Sequence, residues 1–138
     1  MRLPGPRETL AGCMWLPRIL GKARSLQRGE LSPEYVERFC HREGVDGLFI
    51  AHFGMSREDI LSLALMADEL AAAWFVARPG GGMMRIVQWN EVAMNLGKPG
   101  YPMAERLPVA LATTYRHVDP TGKTTLFEVI EADEHVAA

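Results

Sequence analysis

Apolar residues in this chain recur at three- and four-residue intervals and nowhere alternate with polar ones over the length of a strand. Leu16, Ile19, Leu20, Ala23 and Leu26 form one stripe, and Ile86, Trp89, Val92, Ala93 and Leu96 form another. Side chains three or four positions apart share one face of a helix, so this spacing commits the chain to helices and excludes a sheet as its framework. Prolines and glycines interrupt the pattern at short intervals, which predicts six to eight short helices in a compact all-α bundle. A chain of 138 residues buries roughly two-thirds of its unfolded surface. Residues 1–138 are therefore expected to form a single helical domain, with 1–12 an extended N-terminal arm and 132–138 a polar tail.

Capping signals place most of the boundaries. Pro17 suits a first helical turn and Gly29 a helix end, with Arg18, Lys22 and Ser25 on the side away from the apolar stripe. Ser32-Pro33-Glu34 opens a second helix, and the apolar segment Val45 to Phe53 reads as a third, although a buried strand of that length would look similar. Ser56 with Asp59 three residues on resembles a capping box. The run after it, ILSLALMA, is apolar nearly all round and reads as the central, buried helix. Asp68 is placed to cap a separate helix over 69–78, in which Leu70, Ala73, Trp74 and Ala77 share a face, although one continuous helix over 57–78 fits propensity equally well. Pro79-Gly80-Gly81-Gly82 is the strongest breaker and reads as a flexible loop. Gly97 and Pro99 end the following helix, Pro102 and Pro108 start and kink the next, and Leu126 to Ile130 open the last.

Charge is unevenly spread over a net of −2. Arg2, Arg7, Arg18, Lys22, Arg24 and Arg28 crowd the first segment against Glu8 alone, while carboxylates dominate from Asp119 onward. Either an anionic partner binds the basic end, or the two ends pack together and neutralise. The opening MRLPGPRETLAG has charges and prolines where an export signal needs an apolar core, and the apolar stretch near residues 60–76 is broken by Asp68 and Glu69. A cytoplasmic protein with no membrane partner is expected. Cys13 and Cys40 are too far apart for a CxxC pair, so neither a disulfide framework nor a zinc site is indicated.

Several motifs resemble catalytic ones and fail on inspection. Gly122-Lys123-Thr124 ends like a phosphate-binding loop, but His117 stands where the earlier glycine is required. Gly54-Met55-Ser56-Arg57-Glu58 is one glycine short of a nucleophile elbow. His41-Arg42-Glu43 gives half of a zinc deaminase signature without its cysteine pair. His52, inside the apolar run FIAHFG, is a core histidine unless a partner and a cleft make it an acid–base group. The acidic start at Asp68-Glu69 of a would-be recognition helix argues against nucleic acid. No catalytic residue, metal site or cofactor is expected.

Arg7-Glu8-Thr9-Leu10-Ala11-Gly12, Trp15-Leu16-Pro17-Arg18-Ile19-Leu20-Gly21-Lys22-Ala23-Arg24, Phe53-Gly54-Met55-Ser56, Asp68-Glu69 leading to Trp74, and Phe127 through Glu134 together span nearly the whole chain. This series resembles an uncharacterised bacterial family, domain of unknown function 5069. His135 stands where the family has a glycine, and Cys13-Met14 replaces a commoner pair. The resemblance implies a bacterial, cytoplasmic, helical domain and no activity.

Two functions remain. The first is a non-enzymatic interaction or regulatory domain, with a protein partner or a homo-oligomer, in which Trp15 anchors the contact. The alternative is a small-molecule or anion-binding protein, even an enzyme, that holds a phosphate or carboxylate on Arg18 and Lys22 one helical turn apart, with His52 or His117 for acid–base work.

Overall fold

The computed structural model describes residues 2–137, with side chains described through residue 134. Its described part is mostly helical, with eight helices and one two-stranded ribbon. In chain order these are β1 (Thr9–Leu10), β2 (Cys13–Met14), α1 (Leu16–Gln27), α2 (Pro33–Arg38), α3 (Val45–Phe53), α4 (Arg57–Ala64), α5 (Asp68–Ala77), α6 (Met83–Met94), α7 (Arg106–Ala112) and α8 (Leu126–Ala137). The chain divides into two compact units, Met1–Trp89 and Asn90–Ala138, and α6 carries the chain from the first to the second.

In the first unit α1 is the central helix. It packs chiefly on α4, with Leu16, Ile19, Leu20 and Ala23 fully covered on one side and Ile60 and Leu63 on the other. The sequence had pointed to α4 as the buried helix, but Leu65 at its end is 77 % exposed. Nor does α1 have a polar outer side: Arg18, Lys22 and Ser25 are all buried. Behind this pair lies an aromatic cluster. Phe49 and Phe53 from α3 meet Phe75 from α5 and Trp89 from α6, with ring centroids between 4.8 and 6.1 Å apart. Trp89 Nε1 donates to the Met14 carbonyl at 2.8 Å, which ties the ribbon to this cluster. Part of the expected extended arm is thus a hairpin, in which Thr9 pairs with Met14 and Leu10 with Cys13.

Two arginines close helix ends, where carbonyls have no partner within the helix. Arg24 donates to Ala64 O and Met66 O and pairs with Asp68 at 2.9 Å, so it clasps the α4–α5 junction. Arg78 donates to Phe53 O and Gly54 O at the end of α3, both at 3.0 Å. Residues 57–78 therefore form two helices. The cap position of α5 is Ala67, and Asp68 sits in its first turn bound to Arg24. At α4 the capping box is complete, with Ser56 Oγ accepting from Asp59 N and Asp59 Oδ2 from Ser56 N. Ser32 occupies the cap position of α2, but its side chain makes no capping bond.

The second unit buries Ala93, Leu96, Leu107, Phe127, Val129 and Ile130. Leu126 N donates to Leu96 O at 2.8 Å. Glu128 accepts from Thr125 N while Thr125 Oγ1 accepts from Glu128 N, a reciprocal pair that starts α8. Oε1 of Glu128 also accepts from Thr124 N, and these amides hold its pKa below the usual value. The backbone of α8 continues through Ala137, so the segment expected as a polar tail is helical as far as it is described, and residue 138 lies outside the described residues.

The triple glycine after Pro79 serves close packing. A Cβ on Gly81 would lie 1.9 Å from Phe75 O, and one on Gly80 would lie 2.5 Å from Phe53 O. Gly82 has nothing within 4 Å. Gly81→Ala should therefore lose more than about 2 kcal/mol of stability, while Gly82→Ala should be neutral or gain up to about 1 kcal/mol through the unfolded state. Urea denaturation of the two variants checks this, and equal effects would show that the loop does not pack as described.

Candidate functional site

Trp15, Arg18 and Lys22 come together, and Asp46 in the first turn of α3 binds two of them, Trp15 and Lys22. Asp46 Oδ1 accepts from Trp15 Nε1 at 2.7 Å and from Lys22 Nζ at 3.2 Å. Oδ2 accepts from Lys22 Nζ at 3.3 Å and from Cys40 N at 3.0 Å. Relative exposure is 1 % for Asp46, 4 % for Lys22 and 2 % for both Arg18 and Trp15. Arg18 donates to Pro4 O at 3.0 Å. Each cation lies over two rings: Lys22 Nζ is 4.9 Å from the Trp15 centroid and 5.9 Å from that of Tyr35, and Arg18 Cζ is 5.2 and 5.8 Å from the same pair.

The local chain is shaped to bring these groups in. Trp15 and Cys40 both adopt positive φ, 74° and 57°, a region costly for residues with a Cβ. Both then bond the same carboxylate. A Cβ on Gly47 would come within 2.5 Å of Arg42 Cα and His41 O, so only glycine lets α3 press against the 41–42 turn and carry Asp46 inward. Burial pushes the Lys22 pKa down and Arg18 adds to that, while Asp46 opposes them. Burial pushes the Cys40 thiol up to about 12, with Asp46 contributing, and burial alone does the same for Cys13. Chemically this is a closed ion pair: its carboxylate is occupied on both oxygens and its ammonium is held by both.

His52 stands apart from that cluster. Its ring meets Phe53 at 4.7 Å and Trp89 at 5.8 Å, and Nε2–H donates to Arg85 O at 2.7 Å. His41 Nδ1 accepts from Glu43 N in a local turn, and His117 pairs with Asp133 in the second unit. Among the described residues no three His, Cys, Asp or Glu side chains gather to hold a metal ion, and no helix is long and apolar enough to cross a membrane. A shallow hollow of about 260 Å³ in the second unit is lined by Tyr101 and residues 103–106 and gathers no chemical group from elsewhere in the fold.

A second feature lies on the outside of the first unit. After Glu69, α5 reads Leu-Ala-Ala-Ala-Trp-Phe-Val-Ala with no polar side chain. Ala71 and Phe75 are its buried face. Leu70, Ala73, Trp74, Val76 and Ala77 are exposed, Leu70 by 65 %. Gly81 lies against the backbone of Phe75 and Val76, and the start of α6 that follows it carries exposed Met83, Met84 and Val87. Arg78 stacks on Trp74 with its Cζ 5.2 Å from the ring centroid.

With this arrangement in hand, the family model described as domain of unknown function (DUF5069) matches residues 2–136. The chain belongs to that family. No curated protein and no solved structure matches it. For this DUF5069 chain, sequence reasoning missed Asp46 and the exposure of the apolar face of α5. Asp46 had one signal, as the lone acid in the apolar segment 45–53. The α5 face had another, since a helix that is apolar all round is normally enclosed.

Removing one partner of a buried ion pair leaves the other charge uncompensated. Asp46→Ala should therefore cost about 3–5 kcal/mol. Lys22→Met with Asp46→Leu together should cost less than Asp46→Ala alone, a comparison made by urea denaturation. Additive losses would mean that the two groups do not act as a pair.

Thiolate is the alkylated form of cysteine. In the native protein at pH 8 both thiols should react with iodoacetamide about a thousandfold more slowly than a free cysteine. Their raised pKa also means that stability is intact below the unfolded value near 9.0 and falls as pH rises past it. Mass spectrometry of labelled protein reads the rates, and fast modification of Cys40 would show that the Asp46 cluster opens.

Proposed function

We propose that this chain works as a protein-interaction domain, with the outward face of α5 and the first turn of α6 as its docking surface. The observation that carries this reading is the exposure of Leu70, Trp74, Met83, Met84 and Val87 on two consecutive helices. Scattered exposed apolar residues are ordinary, but a continuous patch of them marks a contact site. Burying each such side chain on docking contributes roughly 1.5–3 kcal/mol before ordering costs. Trp74 with Arg78 stacked on it supplies the residue pair most enriched among binding hot spots. The methionines let the surface repack around its partner.

The anion-binding alternative at Arg18 and Lys22 has less support. An anion there would have to displace the Asp46 carboxylate from Lys22 and enter a cluster only a few percent exposed. The basic N-terminal segment is also partly neutralised close at hand, by Lys22 with Asp46, Arg24 with Asp68 and Arg28 with Glu30. Two free cysteines, Cys13 and Cys40, fit a reducing compartment, so we place the chain in the cytoplasm.

A photo-reactive residue at position 70 tests the docking surface in living cells. It should yield a discrete cross-linked adduct on illumination. The same residue at Glu37, exposed on α2, should yield none, and Trp74→Glu should abolish the adduct while leaving the helical circular dichroism unchanged. Absence of an adduct at 70, or equal adducts at both positions, sinks the reading.

A further inference from the structure

Resting on the docking surface just described, we infer that Met83 and Met84 are an oxidation site that controls it: a peroxide converts their thioethers to sulfoxides, and docking is lost until they are reduced. These two side chains stand apart from the other methionines. Met83 is 81 % exposed and Met84 71 %, whereas no other described methionine exceeds 39 % and Met55 is buried. A peroxide has to reach the sulfur itself, so access sets the rate. The cysteines do not compete for it. Cys13 is buried and Cys40 half-buried, and burial pushes both thiols up to about 12, far from the reactive thiolate. The accessible sulfur of the first unit is therefore concentrated at one place, on the docking surface.

The step is a two-electron oxygen transfer. A sulfur lone pair attacks one oxygen of the peroxide, the O–O bond breaks and an S–O bond forms. For hydrogen peroxide the other oxygen leaves as hydroxide and takes up the proton of the transferred one, which gives water. Sulfur is oxidised to the sulfoxide and the peroxide is reduced. The product is polar and chiral, and methionine sulfoxide reductases return it to the thioether.

Position makes this a change of surface rather than of fold. Met83 and Met84 are the first two residues of α6. The turn they open is held by other groups: Ile86 is buried, and His52 Nε2–H donates to Arg85 O at 2.7 Å. Both methionine side chains lie mostly in water, so the turn keeps its packing when the sulfurs gain oxygen. A sulfoxide oxygen also carries partial negative charge, which the start of a helix favours. The same oxygen on Met55 would enter the core. What oxidation removes is the apolar, adaptable contact that a methionine offers to a partner.

The test uses the purified full chain with the photo-reactive residue at position 70. It is treated with dilute hydrogen peroxide, quenched with catalase, mixed with cell lysate and illuminated. Peptide mass spectrometry should find sulfoxide at residues 83 and 84 at least about tenfold sooner than at residue 55. Oxidation should lower the adduct yield at least about tenfold, and treatment with methionine sulfoxide reductase should restore it. Met83→Leu with Met84→Leu conserves apolar volume, so that variant should form the adduct with or without peroxide. Circular dichroism should be the same before and after oxidation. Equal rates at residues 55, 83 and 84 overturn the inference. So does an adduct that survives oxidation, or a leucine variant that still loses its adduct to peroxide. When the untreated protein gives its adduct, those outcomes leave the docking surface standing and remove only its control by oxidation. No adduct from the untreated protein overturns both.

Discussion

The first unit is organised around one carboxylate. Asp46 is enclosed, and an enclosed charge is tolerable only when its lone pairs are met and its charge is balanced. Both conditions are satisfied by groups from three separate places in the chain: the indole of Trp15, the ammonium of Lys22 and the amide of Cys40. Two of those residues hold backbone conformations that cost of order 1 kcal/mol or more each. The strain persists because the bonds to Asp46 fix them there, and the bonds form because the strain aims the donors inward. Gly47 completes the arrangement by letting α3 approach the preceding turn more closely than any residue with a Cβ would allow.

From that anchor the remaining elements follow by contact rather than by intrinsic stability. None of the helices exceeds twelve residues, and isolated helices of this length are marginal in water. Their ends are closed by side chains reaching across from other elements. Arg24 on α1 spans the α4–α5 junction, and Arg78 after α5 closes α3. Each guanidinium converts two orphan carbonyls into a link between helices. The aromatic rings of Phe49, Phe53, Phe75 and Trp89 fill the space those links enclose. Short helices with remote caps have their geometry set by tertiary contacts, which is why α1 tolerates charge on its inner side.

How much of this was legible follows from the range of each interaction. Local signals were read correctly where the physics is local: the capping box at Ser56 and Asp59 and the helix over 45–53. The reciprocal pair of Thr125 and Glu128 carries the same local signature, a threonine followed three residues on by a glutamate, and was not read from the sequence. Interactions across long sequence separations left no such mark. Lys22 and Asp46 are 24 residues apart, and nothing in either neighbourhood announces the other. Arg18 and Lys22 were therefore assigned to solvent by the helical pattern, since periodicity assumes that charge faces water. The glycines at 80 and 81 likewise look flexible in sequence, and only the approach of Phe53 O and Phe75 O shows that they are there for want of space. The α5 stripe was visible as a face, but a sequence does not say which face is covered.

These misreadings share a direction. The first unit keeps cations inside on α1 and large apolar groups outside on α5, the reverse of what folding alone favours. Enclosing Lys22 costs desolvation free energy that the Asp46 pair only offsets, and replacing such pairs by apolar residues is often neutral or stabilising. Leaving Leu70 and Trp74 in water forgoes burial that a few residue changes would recover. A helix with charged or polar residues at 70, 73, 74 and 77 would still bury Ala71 and Phe75 and would still be clasped by Arg24. Nothing in the packing of this unit requires those positions to be apolar. Where local and global demands disagree in this way, the disagreement usually marks a surface shaped by function rather than by folding. On α1 Lys22 is matched within the molecule by Asp46, and Arg18 lies over Trp15 and Tyr35 and donates to Pro4 O. On α5 the exposed apolar face has no such counterpart among the described residues of the first unit, and it is this imbalance that the proposed docking surface answers.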